Sequence, residues 1–100
     1  MYKLVFYDIV DDKIRTKLAN KLEEMGLVRL QYSVFFGRGN TVYWSKVSEK
    51  IKKLTVDFVP ASDSCCFLII EEKPLKSMKI YGNQTFMKNY IIDDPAYLIL

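Results

Sequence analysis

Apolar residues occupy both parities of residues 2–9, where aromatic and β-branched side chains predominate, as in a strand covered on both faces in the middle of a sheet. Asp11 and Asp12 then supply an N-cap and a first-turn carboxylate, favourable at the positive end of a helix, and Gly26 supplies a left-handed stop. The pattern predicts a helix over about residues 12–25. Along it Ile14, Leu18, Leu22 and Met25 form one buried stripe, while Lys13, Lys17 and Lys21 gather on another side. Residues 27–36 are rich in strand formers and end in the turn cluster Gly37, Arg38, Gly39 and Asn40, so they read as two strands meeting near residues 31–33. Trp44, Val47, Ile51 and Leu54 return to helical spacing, with Lys46, Lys50 and Lys53 off the stripe, until Pro60 stops the helix. Residues 64–70 read as a buried strand and 77–81 as a short one ending at Gly82. Two apolar runs, 90–92 and 97–100, close the chain around an Asp93-Asp94-Pro95 turn.

Strand, helix, strand, strand, helix, strand is the order of an α+β, ferredoxin-like βαββαβ sandwich with both helices on one face of an antiparallel sheet. The other face is expected to carry several of Tyr2, Leu4, Phe6, Val34, Phe36, Phe67 and Ile69, an apolar area that a soluble monomer seldom leaves wet. A homodimer through the sheet face or its edges follows as the expectation. Residues 1–82 are taken as the ferredoxin-like domain, and 83–100 as a C-terminal extension whose short strands pack on the chain's own sheet or its partner's.

Composition narrows the chemistry. One hundred residues suffice for a single core. With no histidine, histidine general bases, histidine-based triads and the common zinc sites are excluded, which leaves carboxylates, hydroxyls or a hard metal. The adjacent Cys65 and Cys66 point to opposite faces of a strand, are poorly placed for an intrachain disulfide and suit a reducing cytosol. The apolar start of the chain is too short to span a bilayer and lacks a cleavage site, so a cytoplasmic location without membrane contact is expected.

Asp8 stands out because it interrupts an apolar strand near its carboxyl end. From position alone, a first-turn cap or a lysine pair accounts for it as well as a functional role does. If a two-fold axis brought two copies of Asp8 together, they would repel unless a proton or a divalent cation lay between them, and Mg²⁺ (or Mn²⁺) suits an oxygen-only donor set. The overall charge of +3 conceals a basic middle: residues 13–53 hold ten cations, among them Lys13, Arg15, Lys17, Arg29 and Arg38, against three carboxylates, leaving +7. Such a surface fits a phosphate backbone, although lysines on exposed helix faces are ordinarily solvating charge. Tyr7, Tyr32 and Phe35 are candidates for stacking on bases, a role that strand aromatics fill less often than core packing. Ser33 is a candidate hydrogen-bond donor to phosphate or to water on a metal, with no general base to make it a nucleophile. Gly37 and Gly39 read as a turn.

The ordered set Tyr7-Asp8-Ile9-Val10-Asp11-Asp12-Lys13, Lys17-Leu18-Ala19-Asn20-Lys21-Leu22 and Gly26-Leu27-Val28-Arg29-Leu30-Gln31-Tyr32-Ser33-Val34-Phe35 resembles CRISPR-associated protein two, the small endoribonuclease-like partner of the CRISPR integrase. The resemblance covers about the first third of the chain. It implies a homodimer in which Asp8 faces its symmetry mate and binds a divalent metal, with Tyr7 beside that site. It also implies that Arg15 and Arg29 lie on the substrate backbone, and that Ser33 and Phe35 are near the cleft. Phe36 stands where the family often has an acidic residue. The implied function is adaptation, or spacer acquisition, by a metal-dependent endonuclease that binds RNA or DNA and scaffolds the integrase. A non-catalytic DNA-binding scaffold is the alternative, and a toxin-type ribonuclease of the virulence-associated protein D kind is a third.

Overall fold

A computed structural model describes residues 2–38 and 44–82, Trp44 by its backbone only. Its elements are β1 (Tyr2–Asp8), α1 (Asp12–Glu24), β2 (Val28–Gln31), β3 (Val34–Arg38), α2 (Trp44–Leu54) continued by a 3₁₀ turn (Thr55–Asp57), β4 (Ser64–Ile70) and α3 (Glu72–Lys76). Helix α1 starts where the Asp11 carboxylate accepts from the backbone N–H groups of Lys13 (2.8 Å) and Ile14 (3.1 Å), satisfying two donors that the helix itself cannot. It stops at Met25 and Gly26, the latter at φ 93°, a conformation in which a Cβ would be strained.

The four strands form one antiparallel sheet in the order β2-β3-β1-β4, the ferredoxin-like topology expected from the element order. Central β1 runs from Tyr2, opposite Arg38 and Ile70, to Asp8, opposite Ser64. Its side chains alternate. Val5 and Tyr7 of the strand, and Ile9 just beyond it, enter the main core with Leu18, Leu22 and Ala19 of α1, Phe35 of β3, and Val47, Ile51 and Leu54 of α2. The helical stripes are therefore the buried ones, each fully buried Leu, Val or Phe worth about 1.5–3 kcal/mol relative to exposure.

The opposite face differs from the expectation in two respects. Residues 72–76 form α3, and Ser77 caps its C-terminus, so no strand occupies residues 77–81. Leu75 of α3, with Met78 and Ile80, packs on Leu30, Phe36, Tyr2, Val34 and Ile70. Glu72 in the first turn, Pro74 near the start and a Lys76–Glu72 pair at 3.0 Å favour this short helix over an extended chain. The β1–β4 register also places Phe67 opposite Val5 and Ile69 opposite Lys3. Phe67 and Ile69 thus belong to the face bearing the long helices, and Cys66, Leu68 and Ile70 take the other, because strand parity depends on a register that composition does not reveal.

Residues 64–70 do form a strand, β4, but not a buried one: it is an edge strand with most side chains exposed. Phe6, 41% exposed, and Leu68, 51% exposed, leave an apolar patch on the sheet face beyond the reach of α3. Cys65 and Cys66 are free thiols, and burial, then the neighbouring Cys66, pushes the Cys65 thiol up to about 12. No described helix is long and apolar enough to cross a membrane. Gly39 and Asn40 of the expected turn, the Trp44 side chain, the 83–100 extension and its runs at 90–92 and 97–100 lie outside the described residues.

Because α3 closes the second cluster through Leu75, Leu75→Ala is expected to lower stability by about 2–5 kcal/mol. Val56→Ala, at an 81% exposed position, should stay within about 0.5 kcal/mol of the parent. Urea unfolding followed by circular dichroism measures both.

Candidate nucleic-acid cleft and exposed carboxylate

Strand alternation sends Tyr7 and Asp8, neighbours in sequence, to opposite faces of the sheet. Tyr7 is buried against Phe35, the rings stacked with centroids 6.2 Å apart. The Tyr7 N–H donates to the Ser33 carbonyl at 3.1 Å, which draws the β2–β3 turn onto the end of β1. Ser33 therefore contributes its backbone to this region, and its half-buried side chain makes no hydrogen bond among the described residues.

One step before that turn the β2–β3 register slips. Arg29 faces Phe35 and Gln31 faces Val34, so Leu30 is an extra residue, a bulge that bends the strand beside the turn. Arg29 lies with its guanidinium carbon 5.0 Å from the Phe35 ring centroid and 5.8 Å from that of Tyr32. Arg15 approaches the same Tyr32 ring at 5.7 Å from α1. Tyr32 is 68% exposed, so two cations are held beside a ring open to solvent. Arg15, Arg29 and Tyr32, with Tyr7 and with Thr16, Ala19 and Asn20 of α1, line a cleft of about 150 Å³.

The two arginines are not equivalent. Arg15 donates from Nη1 to the carbonyls of Ile9 (2.9 Å) and Val10 (3.1 Å), and its Nη2 pairs with the Asp12 carboxylate. Most of its hydrogen-bonding capacity is spent on the β1–α1 turn. Arg29 makes no side-chain hydrogen bond or ion pair among the described residues, so its donors are not engaged by them.

Asp8 is exposed on the sheet face that α1 and α2 leave uncovered, and its carboxylate makes no hydrogen bond or ion pair among the described residues. It caps nothing, since Asp11 holds the helix N-terminus. On the adjoining strand Ser64 is its register partner and Cys66 that of Phe6. Among the described residues no three acidic, cysteine or histidine side chains gather closely enough to enclose a metal.

The structure thus brings Tyr7, Arg15, Arg29 and Phe35 together and sets Asp8 on the reverse face. Lys13 and Lys17 are exposed on α1. Arg38, opposite Tyr2, lies at the far end of β1 from Asp8, about 20 Å away along the strand.

One contributor, Asp63, has no place among the residues singled out from the sequence, and another, Tyr32, takes a fuller part than the stacking expected of it. Tyr32 was weighed there only as a stacking aromatic, and its position between two arginines arises from the turn and the bulge. Asp63 gave no signal beyond an acidic residue in a turn before a strand. Its Oδ2 accepts from Val59 N at 2.8 Å, and its Oδ1 accepts from Val10 N at 3.0 Å and from the Ser62 hydroxyl at 3.2 Å. The Val59 and Val10 bonds outweigh desolvation and, helped by Ser62, hold this carboxyl below its ordinary range.

The described residues thus form an antiparallel α+β sandwich with a cationic, aromatic cleft on one sheet face and, on the other, a carboxylate without a partner among them. The model of the family described as CRISPR associated protein Cas2 matches residues 1–78, and the chain belongs to that family. It is 44% identical over 55 residues to CRISPR-associated endoribonuclease Cas2 2 of Pyrobaculum aerophilum, covering 55% of this chain and only 60% of that relative. Over 69 residues, 69% of each chain, it is 41% identical to CRISPR-associated endoribonuclease Cas2 1 of Archaeoglobus fulgidus. With CRISPR-associated endoribonuclease Cas2 of Thermofilum pendens it shares 27% identity over 97 residues, 97% of each. The crystal structure of Streptococcus pyogenes Cas2 superposes with a TM-score of 0.62 at 23% identity, covering 82% of this chain and all of that one, a likeness of fold.

The Asp63 carboxylate also carries a pH dependence. Its pKa is lower folded than unfolded, so its contribution is complete above the unfolded value of about 3.9 and is lost as pH falls through the folded one. Urea midpoints recorded from pH 6 down to pH 3 should fall less steeply for Asp63→Asn than for the parent chain.

Proposed function

We propose that the chain is a homodimeric CRISPR adaptation protein with a metal-dependent nuclease site, in which the Asp8 carboxylates of two copies share one Mg²⁺ or Mn²⁺ and the Arg29–Tyr32 cleft holds the nucleic-acid backbone. The observation that carries this is Asp8 itself, an exposed carboxylate without a partner among the described residues, on an apolar sheet face bearing Phe6 and Leu68. Covering that patch with a second copy would remove apolar surface from water and could bring two Asp8 groups together, where only a cation or a shared proton relieves their repulsion. The donor set is oxygen, without histidine, which suits a hard ion that retains several waters. When bound, such an ion would stabilise charge developing on a phosphodiester and ready a water for attack.

The chain's own side chains do the rest. Arg29 offers a charge-assisted donor fork to a phosphate, and the open ring of Tyr32 offers a platform for a base or ribose. Lys13 and Lys17 extend the positive surface along α1. None of these groups reads base edges, so binding should be insensitive to sequence and strongly dependent on salt. The names of the relatives, CRISPR-associated endoribonucleases, support RNA as a substrate.

A second reading, a non-catalytic scaffold that holds DNA for the CRISPR integrase, is favoured by one observation: the cleft and Asp8 occupy opposite sheet faces, so nucleic acid can be held without meeting the carboxylate. Labelled RNA and DNA incubated with Mg²⁺ or with EDTA separate the two. For the nuclease, Asp8→Ala abolishes Mg²⁺-dependent cleavage while the dimer persists in size-exclusion chromatography; for the scaffold, neither parent nor variant cleaves, yet both bind. Arg29→Ala should weaken binding about tenfold at low salt, with a shallower salt slope, in either case.

A further inference from the structure

The three residues between β1 and α1 are held from two sides. From the α1 side, Arg15 Nη1 donates to the carbonyls of Ile9 and Val10, at 2.9 and 3.1 Å. From the β4 side, Asp63 Oδ1 accepts from the N–H of Val10 at 3.0 Å. The Val10 residue thus has its carbonyl on a guanidinium and its amide on a carboxylate, although its own side chain is 67% exposed and packs little. Ile9 is anchored by burial in the core, whereas polar bonds rather than apolar burial set the course of the chain at Val10.

Asp63 is itself well fixed. Its second oxygen accepts from Val59 N at 2.8 Å, and the Ser62 hydroxyl adds a bond at 3.2 Å, so the carboxylate is rigidly presented by the turn between α2 and β4. Ser64, the next residue, is the register partner of Asp8. One short segment therefore grips both ends of the Asp8–Val10 stretch, through the β1–β4 ladder and through the Asp63 side chain.

We infer that Asp63 is a positioning residue for Asp8, which with Arg15 clamps the Val10 peptide and fixes the direction in which the Asp8 carboxylate leaves the sheet. The inference rests on the reading above that Asp8 is the functional carboxylate. It also assigns Arg15 a different part from Arg29: Arg15 holds the turn, and Arg29 faces the ligand. A carboxylate that must meet its symmetry mate needs its backbone held closely, since misplacement by about 1 Å can cost two orders of magnitude in rate.

The test uses the full chain with Asp63→Ala, Asp63→Asn and Asp8→Ala. Amide hydrogen exchange at Val10 and the backbone amide shift of Asp8, both by NMR, report the clamp without reference to activity. Asp63→Ala should speed Val10 exchange about tenfold or more, move the Asp8 signal, and lower kcat for Mg²⁺-dependent RNA cleavage about tenfold with KM within about twofold. Asp63→Asn keeps one carbonyl acceptor and should recover part of each effect, and it serves as the deciding variant if the alanine chain does not fold. Unchanged Val10 exchange, or a loosened Val10 with an unmoved Asp8 signal and unchanged kcat, overturns the proposal. Should Asp8→Ala cleave like the parent, the nuclease reading falls, and the clamp is then decided by the Val10 and Asp8 signals alone.

Discussion

Strand β1 is paired on both edges, to β3 and to β4, and its side chains have no freedom to choose a face. Val5 and Tyr7, followed by Ile9, must enter the core under α1 and α2 because the alternative register would place three apolar groups in water and Phe6 and Asp8 in the core. Every other feature inherits that constraint. With Tyr7 committed inward, its backbone collects the β2–β3 turn and its ring stacks on Phe35; with Asp8 committed outward, a carboxylate stands on the face that the long helices do not cover.

The cleft on the helical face shows how a small protein holds cations close together. Arg15 and Arg29 both lie near the Tyr32 ring, and each is steadied differently: Arg15 by two carbonyls and Asp12, Arg29 by two aromatic faces. Cation–π contacts at such exposed sites contribute only about 0.5–1 kcal/mol each, enough to orient a guanidinium and too little to withhold it from a phosphate. The bulge at Leu30 makes this possible by placing Arg29 over Phe35 just before the turn.

The reverse face divides its apolar area. Toward the Tyr2 end, α3 and the residues after it cover Phe36, Leu30 and Ile70; toward the Asp8 end, Phe6 and Leu68 remain accessible. A carboxylate without a partner among the described residues stands at the margin of this accessible apolar patch. Edge strand β4, with its outer backbone groups unpaired by the other described strands, adjoins the same region.

Helical periodicity and caps were sufficient to locate α1 and α2, because stripes such as Ile14, Leu18 and Leu22 and a carboxylate such as Asp11 act within a few residues of chain. Asp8 could be singled out for the same reason: a charge inside an apolar strand is a local anomaly. Short α3 escaped detection, since five residues carry too little periodicity to distinguish a helical turn from a strand end. The parity of Phe67 and Ile69, the split between the duties of Arg15 and Arg29, and the reach of Asp63 to Val10 across 53 residues of chain were decided only in three dimensions. Register, bulge and long-range hydrogen bond each depend on which segments become neighbours, and adjacency in space is what a linear order of side chains does not contain.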